Sequence, residues 1–478
     1  MESNRPKVGL LGITQELYDS VVNDIRGYQV RFGNELVSWF SDDLEIVFPG
    51  PARNRSEIER AVERFNAEKL DGIMVVMLTY APSLFVINAF RTNRLPVLLA
   101  NLQPERNVKS SWDMASLTYN QGIHGTQDLA NCLYKMGIRP PVVSGDWKTP
   151  EFRRRVYDWA IAARTLLRLR TARVATFGQM PGMGDITADP NDLMRSIGPQ
   201  VDHVHVGVLK GIMDTVPHAE VSAAMAQDRK NFEIASDLPV ESHQYAATLY
   251  LALRHFLVSE HYDGFCVHFD ALGRDGRFKQ LHMLAASNLM AEGFGYAAEG
   301  DILCASLMVA GHHIAPNAHF TEMYAMDFDR NAFLMSHMGE GNWRVARNDA
   351  KPKLIQRELR IGGLEDPPTV LFSAQPGPAS LVSLANIGSG RFRMVAVEGT
   401  ILDEESLPHL EMPYFFLRPN KSTVEEVSSR WLQNGGTHHQ AMHLGSVTAR
   451  WELLCGMLGV EFVRLDSACD NIGSPEGR

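Results

Sequence analysis

The sequence predicts an α/β protein: two αβα domains, each built on a Rossmann-like parallel sheet, followed by a β-rich, barrel-like C-terminal domain. Three observations carry this expectation. Up to about residue 325, short apolar runs alternate with amphipathic helical stretches, the pattern of parallel strands covered on both faces. Beyond it, short strand-like runs punctuated by Gly, Pro and Asn follow one another with few helical patterns between them. The length of 478 residues leaves room for about two to four domains.

The elements follow in order. Val8 to Ile13 is an apolar run ending at a turn with Gly and Thr. Ser56 to Lys69 is polar with apolar residues at helical spacing, hence a helix. Asp71-Gly72 introduces the strand Ile73 to Leu78, and Leu95 to Ala100 and Pro141 to Gly145 add two more. Phe152 to Arg170, rich in Arg, Leu and Ala, is a helix, and Arg173 to Phe177 is the next strand. The Gly- and Pro-rich stretch Gly178 to Gly184 follows. The strand Val204 to Val208, the helix Ala246 to Val258, the strand Gly264 to Phe269 and the helix Lys279 to Glu292 continue the alternation. Thr369 to Ser373, Ser380 to Leu384, Phe392 to Glu398 and Pro413 to Leu417 are the strands of the last domain. A helix, Ser446 to Leu458, and a strand, Glu461 to Leu465, end it. The expected domains are 1–167, 168–325 and 326–466, with the small, polar segment 467–478 as a disordered tail.

Composition narrows the function. Hydrophobic residues make up 45% and charged residues 21%, a globular balance. A net charge of −10 argues against nucleic acid or an anionic membrane as a partner. The basic run Arg153-Arg154-Arg155 lies in a helical pattern and reads as a solvated helix face. No apolar stretch is long enough to cross a bilayer. The five cysteines are widely spaced without a CxxC, so neither a disulfide framework nor a cysteine metal site is expected. With no secretory pattern at the N-terminus, the expected setting is the reduced cytoplasm.

Acids and histidines beside Gly-rich or apolar segments are the candidates for chemistry. Glu299 sits in Glu292 to Asp301 among flexible glycines, Glu322 in His319 to Tyr324, and His337 in Met335 to Met338. A carboxylate or imidazole among apolar neighbours needs a partner. Two carboxylates and imidazoles around one divalent ion would satisfy that need, and mixed oxygen and nitrogen ligation suits Mn²⁺ or Co²⁺. A buried salt bridge would equally account for Glu322, and a hydrogen-bonded core histidine for His337. His312-His313 reads as a helix C-terminal end, and His203 and His205 as surface positions along a strand. The turn-borne pair His438-His439 after Gly435-Gly436-Thr437 is the most ligand-like histidine set.

At these residues the chain resembles the L-arabinose isomerase family. The motifs run in the family's order: Gly9-Leu10-Leu11-Gly12-Ile13-Thr14-Gln15-Glu16-Leu17-Tyr18, Asn120-Gln121-Gly122-Ile123-His124-Gly125, Ser144-Gly145-Asp146-Trp147 and Ala298-Glu299-Gly300-Asp301. Phe320-Thr321-Glu322-Met323-Tyr324, Ser336-His337-Met338-Gly339-Glu340, Gly362-Gly363-Leu364-Glu365-Asp366-Pro367 and Gly435-Gly436-Thr437-His438-His439 complete the set. The resemblance implies an aldose–ketose isomerase working through a cis-enediol. It implies Mn²⁺, with Co²⁺ or Mg²⁺ as substitutes, held by Glu299, Glu322, His337 and His439, the second histidine of the pair. Glu299 and Glu322 would double as the proton-transfer pair. Gln15, Gln121, His124, Tyr324 and His438 would form the sugar pocket, with Gln121 and His124 reaching a neighbouring subunit's site in a homohexamer.

The chain also departs from the family. Phe177-Gly178-Gln179-Met180-Pro181-Gly182-Met183 replaces a Phe-Gly-Asp-Asn-Met-Arg segment, and Asp146 stands where histidine is usual. Ala297-Ala298 and His319-Phe320 are unusual neighbours of the ligand motifs. The expectation is retained chemistry with an altered or broadened sugar preference. Two other readings compete with the isomerase. One is a non-catalytic sugar-binding or sensing protein, against which the retained glutamate pair argues. The other is a different metal-dependent sugar reaction, epimerisation with the same glutamates or hydrolysis, which product analysis separates.

Overall fold

The structure, a computed structural model, describes residues 5–359, 361–404 and 406–466. The expected tail 467–478 lies outside the described residues. The chain divides into two compact units, one up to Leu167 and one from Arg168.

The first unit holds five strands, β1 (Lys7–Ile13), β2 (Glu45–Val47), β3 (Gly72–Met77), β4 (Val97–Asn101) and β5 (Val142–Ser144). They pair in parallel in the order β2-β1-β3-β4-β5. Val8, Leu10, Leu11 and Ile13 are all buried although they alternate across the pleat, because helices cover both faces. The helix Arg55–Ala67 begins at Asn54, whose side chain accepts the main-chain N–H of Glu57, and the helix Gly122–Lys135 packs on β3 and β4. Gly122 permits that approach: a Cβ there would stand 2.2 Å from the Met77 carbonyl oxygen.

The second unit contains a parallel sheet, a small sheet and a ring of antiparallel strands. The parallel sheet has β6 (Arg173–Phe177) and β7 (Gln200–His203). After β8 (Glu233–Ile234) it continues with β9 (Gly264–Val267) and β10 (Gly295–Ala298), in the order β10-β9-β6-β7. The strand expected at Val204 to Val208 lies earlier, and Gly207–Met213 is helical. The chain turns to opposite sides of β6 and β9, so their C-terminal ends flank a crevice where α/β proteins place ligands.

The ring is built from β11 (His319–Asp327), β12 (Ala332–Ser336), β15 (Gly377–Asn386), β16 (Phe392–Ile401), β17 (Tyr414–Pro419) and β18 (His439–Leu444). Between them, β13 (Lys353–Gln356) and β14 (Pro368–Leu371) pair with β8 as the small sheet. The ring runs β15-β18-β11-β12-β17-β16, and β16 pairs again with β15, so the pairing closes on itself. β19 (Glu461–Arg464) joins β16 in parallel. Leu381, Val395, Val397, Phe415, Leu417 and Met442 share one buried cluster.

One helix, Ile302–Ile314, touches both the parallel strands β6, β9 and β10 and the ring strands β15 and β18. Its run Ile302 to Gly311 is buried throughout, so it has no polar face, as expected of a helix enclosed on all sides. His312 and His313 fall in its last turn, and His312 Nε2 lies 3.1 Å from the Phe294 carbonyl oxygen.

Candidate active site

Five of the sequence-predicted residues converge in the second unit. Glu322 lies on β11, opposite Ser336 of β12 on one side and His439 of β18 on the other. His337 follows the last residue of β12, and His438 occupies the turn before β18. Register thus brings three separated segments to one point. His439 therefore begins a strand, where the sequence suggested a turn. A register shift between Met323 and Ala325 puts Tyr324 at a bulge, a device that redirects side chains beside active sites. Tyr324 is 40% exposed. Its phenol is pushed up by burial and by the Glu322 charge.

Glu299 comes from the other side, just past β10. Its φ of 61° is left-handed, which is uncommon for a residue with a Cβ. Its carbonyl accepts the Met180 N–H at 2.8 Å, tying it to the loop after β6. Gly300, at φ 79°, makes this contact feasible, since a Cβ would stand 2.1 Å from the Gly178 carbonyl oxygen. The departure segment Gln179–Met183 therefore meets the site directly.

The distances define a compact donor set. His439 Nε2 lies 3.5 Å from Glu299 Oε2 and 3.5 Å from Glu322 Oε1. His337 Nε2 lies 3.8 Å from Glu322 Oε1, and His438 Nε2 lies 3.6 Å from both glutamates. Two overlapping groups, Glu299 with His438 and His439, and Glu322 with His337 and His439, each keep one ligand atom per residue within 4.8 Å. Glu299 Oε2, His438 Nε2 and His439 Nε2 are buried with no hydrogen-bond partner among the described residues. Buried polar atoms left in this state are costly, and a divalent cation between Glu299 and His439, 3.5 Å apart, would satisfy that pair. The residues fit such an ion.

Carboxylates hydrogen-bond the other nitrogen of His439 and of His438, and a third carboxylate stands beside His337. Asp301 Oδ2 meets His439 Nδ1 at 2.9 Å, Glu340 Oε1 meets His337 Nδ1 at 3.1 Å, and Asp185 Oδ2 meets His438 Nδ1 at 2.6 Å. The hydrogen bonds of His439 and His438 fix their tautomers and turn Nε2 toward the centre, as around metal-binding histidines generally, whereas His337 Nδ1 has no hydrogen-bond partner among the described residues. Asp301 does more: its Oδ1 accepts the Leu303 and Cys304 N–H groups, capping the buried helix. Behind His337, Tyr296 donates its hydroxyl to Glu340 at 2.8 Å, and His282 Nε2 lies 2.9 Å from the same hydroxyl. The Phe320 ring packs against His337 and His439, with centroids 4.7 and 4.9 Å away, so that unusual neighbour supports both imidazoles.

Charge follows geometry. Burial alone would raise Glu299, but the neighbouring His438, His439 and His337 imidazoles hold it below its usual range. Burial would lower His438, but Asp185 and then the glutamates hold it up at about 10. His337 and the Glu340 behind it behave alike: Glu340 is held down and His337 up, each by the other against the effect of burial.

The remaining candidates belong to the first unit. Gln15 is half-buried at the start of the turn Glu16–Ser20. Gln121 donates to the Thr79 hydroxyl at 3.1 Å, and His124 is exposed. Sequence reasoning assigned no role to Asp301, Glu340, Asp185, Tyr296 or His282. Asp301 and Glu340 were within reach, because each is an acid two or three residues from a ligand candidate inside a quoted motif. Asp185 carried no signal beyond its Gly-rich loop.

Comparison with known proteins agrees along the chain. Residues 5–171, 173–317 and 317–461 match the family models of the L-arabinose isomerase N-terminal, central and C-terminal domains. A protein named L-arabinose isomerase from Nocardioides sp. is 31% identical, over 83% of this chain and 80% of its own. One so named from Clostridium beijerinckii is 28% identical, over 93% and 94%. One from Thermotoga maritima is 27% identical, over 91% and 90%.

Proposed function

The chain belongs to the L-arabinose isomerase family, and from that premise we propose a metal-dependent aldose–ketose isomerase centred on Glu299 and Glu322. One observation carries the proposal: three imidazoles, each with a carboxylate beside Nδ1, have Nε2 within 3.8 Å of an oxygen of Glu299 or Glu322. A sensing protein has no use for a second carboxylate poised for proton transfer.

Glu299, Glu322, His337 and His439 are the ligands we assign to Mn²⁺, with Co²⁺ or Mg²⁺ as substitutes. His439 is preferred to His438 because it is fully buried and belongs to both donor groups. The bound ion would supply Lewis acidity to the carbonyl end of the sugar. One glutamate takes the proton from C2 and returns it to C1, through a cis-enediol, while the other moves the hydroxyl proton from O2 to O1. The different surroundings of the two carboxylates suit them to these unlike tasks. Tyr324 and His438 line the sugar's side of the centre.

The family premise also supports Gln15, Gln121 and His124 as sugar-pocket residues, with Gln121 and His124 reaching a neighbouring subunit's site in a homohexamer. Leu17, Val21, Leu84, Val108 and Met114 are 61–76% exposed, on segments that leave the same end of the parallel sheet as Gln15 and Gln121. Exposed apolar side chains so placed favour a covered surface. None of the described helices is long and apolar enough to cross a membrane. The four described cysteines are free, which supports a cytoplasmic setting.

The departures after β6 favour a sugar other than L-arabinose or a broad range, because that loop contacts the Glu299 main chain. The test is a panel of tetroses, pentoses, hexoses and 6-deoxyhexoses with Mn²⁺, followed by NMR. Ketose from at least one aldose is expected. A C2 epimer without ketose would establish epimerisation instead, and binding without turnover across the panel would establish a sensor.

A further inference from the structure

The carboxylate behind His438 differs from the other two. Glu340 and Asp301 are sealed inside, 2% and 1% exposed. Asp185 sits in the loop between β6 and β7, with its side chain 40% exposed. One oxygen, Oδ2, engages His438 twice, accepting its main-chain N–H at 3.0 Å and meeting its ring Nδ1 at 2.6 Å. This two-point grip fixes both the turn and the ring.

The consequence is the placement of Nε2. It is buried, has no hydrogen-bond partner among the described residues, and lies 3.6 Å from an oxygen of each glutamate. That separation exceeds a direct hydrogen bond. A hydroxyl group, which both donates and accepts, can bridge an imidazole nitrogen and a carboxylate across such a gap. His438 is also the most exposed of the three imidazoles, at 34% of its side chain against 3% for His337 and 0% for His439. It therefore stands on the side from which a sugar arrives.

We propose that Asp185 is a positioning residue for the sugar, acting through His438 to present Nε2 to a substrate hydroxyl above the two glutamates. The inference rests on the isomerase reading and gives one of its pocket residues an orienting partner. Asp185 shares its loop with Gln179–Met183, where this chain leaves the family pattern, so the same loop shapes the pocket and holds its hydrogen-bonding imidazole. Recognition of a polyhydroxylated chain, not ligation of the ion, is the role assigned to His438.

The test compares wild type with Asp185→Ala and Asp185→Glu, each as the full chain loaded with Mn²⁺. Calorimetry measures an alditol of the same length as the best substrate, and Mn²⁺ affinity is titrated separately. The alanine variant is expected to bind the alditol about tenfold or more weakly and to raise KM alike, the loss of one good hydrogen bond. Its kcat and Mn²⁺ affinity should stay within about threefold of wild type, less than 1 kcal/mol of change. Glutamate should recover most of the alditol affinity. Unchanged alditol affinity in Asp185→Ala would overturn the proposal. So would Mn²⁺ affinity falling in step with it, which would make His438 a ligand. If wild type converts no aldose, the isomerase reading fails, and the alditol and Mn²⁺ titrations still decide the role of Asp185.

Discussion

Glu322 and His439 are register partners across β11 and β18, and their facing atoms, Oε1 and Nε2, lie 3.5 Å apart. Half of the site is therefore set by strand pairing. A slip of either strand by one residue would turn its side chain of the pair to the opposite face. The bulge at Tyr324 comes just after this pair, so the irregularity leaves the pairing of Glu322 intact.

Replacing either glutamate by its amide keeps shape and removes the proton acceptor. Glu299→Gln and Glu322→Gln should each keep the wild-type circular dichroism and lose about a hundredfold to ten-thousandfold in kcat. Near-normal kcat in either variant would remove that residue from the proton-transfer pair.

Chelation should abolish activity and added Mn²⁺ should restore it. Binding should also stabilise the fold, by about 2.7 kcal/mol at a free concentration near a hundred times Kd. Scanning calorimetry at several Mn²⁺ concentrations reads this directly. Full activity in rigorously metal-free protein would refute the ion's role.

The two tasks of Asp301 can be separated. Asp301→Ser keeps a helix-capping oxygen and loses the partner of His439, whereas Asp301→Ala loses both. Metal affinity should fall by about 10–100-fold in each variant. The metal-free alanine variant should be less stable than the serine variant by about 1 kcal/mol. Equal stabilities would refute the cap, and wild-type metal affinity in the serine variant would refute the aiming of His439.

Acid stability should depend on His443. It is fully buried on β18, neither ring nitrogen has a hydrogen-bond partner among the described residues, and burial lowers its pKa to about 3. In the unfolded chain it protonates near pH 6.5, so below that pH the unfolded state binds the extra proton and folding loses stability. The loss continues until the folded pKa near 3 is reached, and it amounts to about 2 kcal/mol between about pH 7 and pH 5. Melting curves of His443→Gln over this range should show a flatter acid limb; a limb as steep as wild type's would assign the loss to other groups.

If sites are shared between subunits, Gln121→Ala and His124→Ala should each lower kcat/KM by about tenfold or more, through lost contacts to the sugar. An active, stable monomer in sedimentation velocity would contradict this arrangement.

The sequence made the strands of the first unit legible, because runs such as Ile73 to Leu78 are apolar on both faces and bounded by Asp-Gly. It hid β11. His319–Asp327 mixes a buried first half with the exposed Tyr324, Ala325 and Met326, so neither alternation nor a solid apolar run stands out. The helix Val424–Gln433 was also passed over, although Thr423 and Glu426 form a complete capping box, a pattern visible in the letters Thr-Val-Glu-Glu.

For the site, spacing was mute. Glu299, Glu322, His337 and His439 meet through strand register and through a left-handed residue at Glu299, and neither is written in local periodicity. The ordered motifs supplied what periodicity could not. Asp185 lay beyond both, because its grip on His438 joins residues far apart in the chain, through a loop with no regular structure.

The place of β18 in the ring fixes when the centre comes into being during synthesis. It lies between β11 and β15, yet is made after every other strand of the circuit. Until residue 444 has left the ribosome the circuit stays open, and Glu299, Glu322 and His337 wait without their last histidine. If the centre holds an ion, its donor set is therefore complete only once β18 has closed the ring.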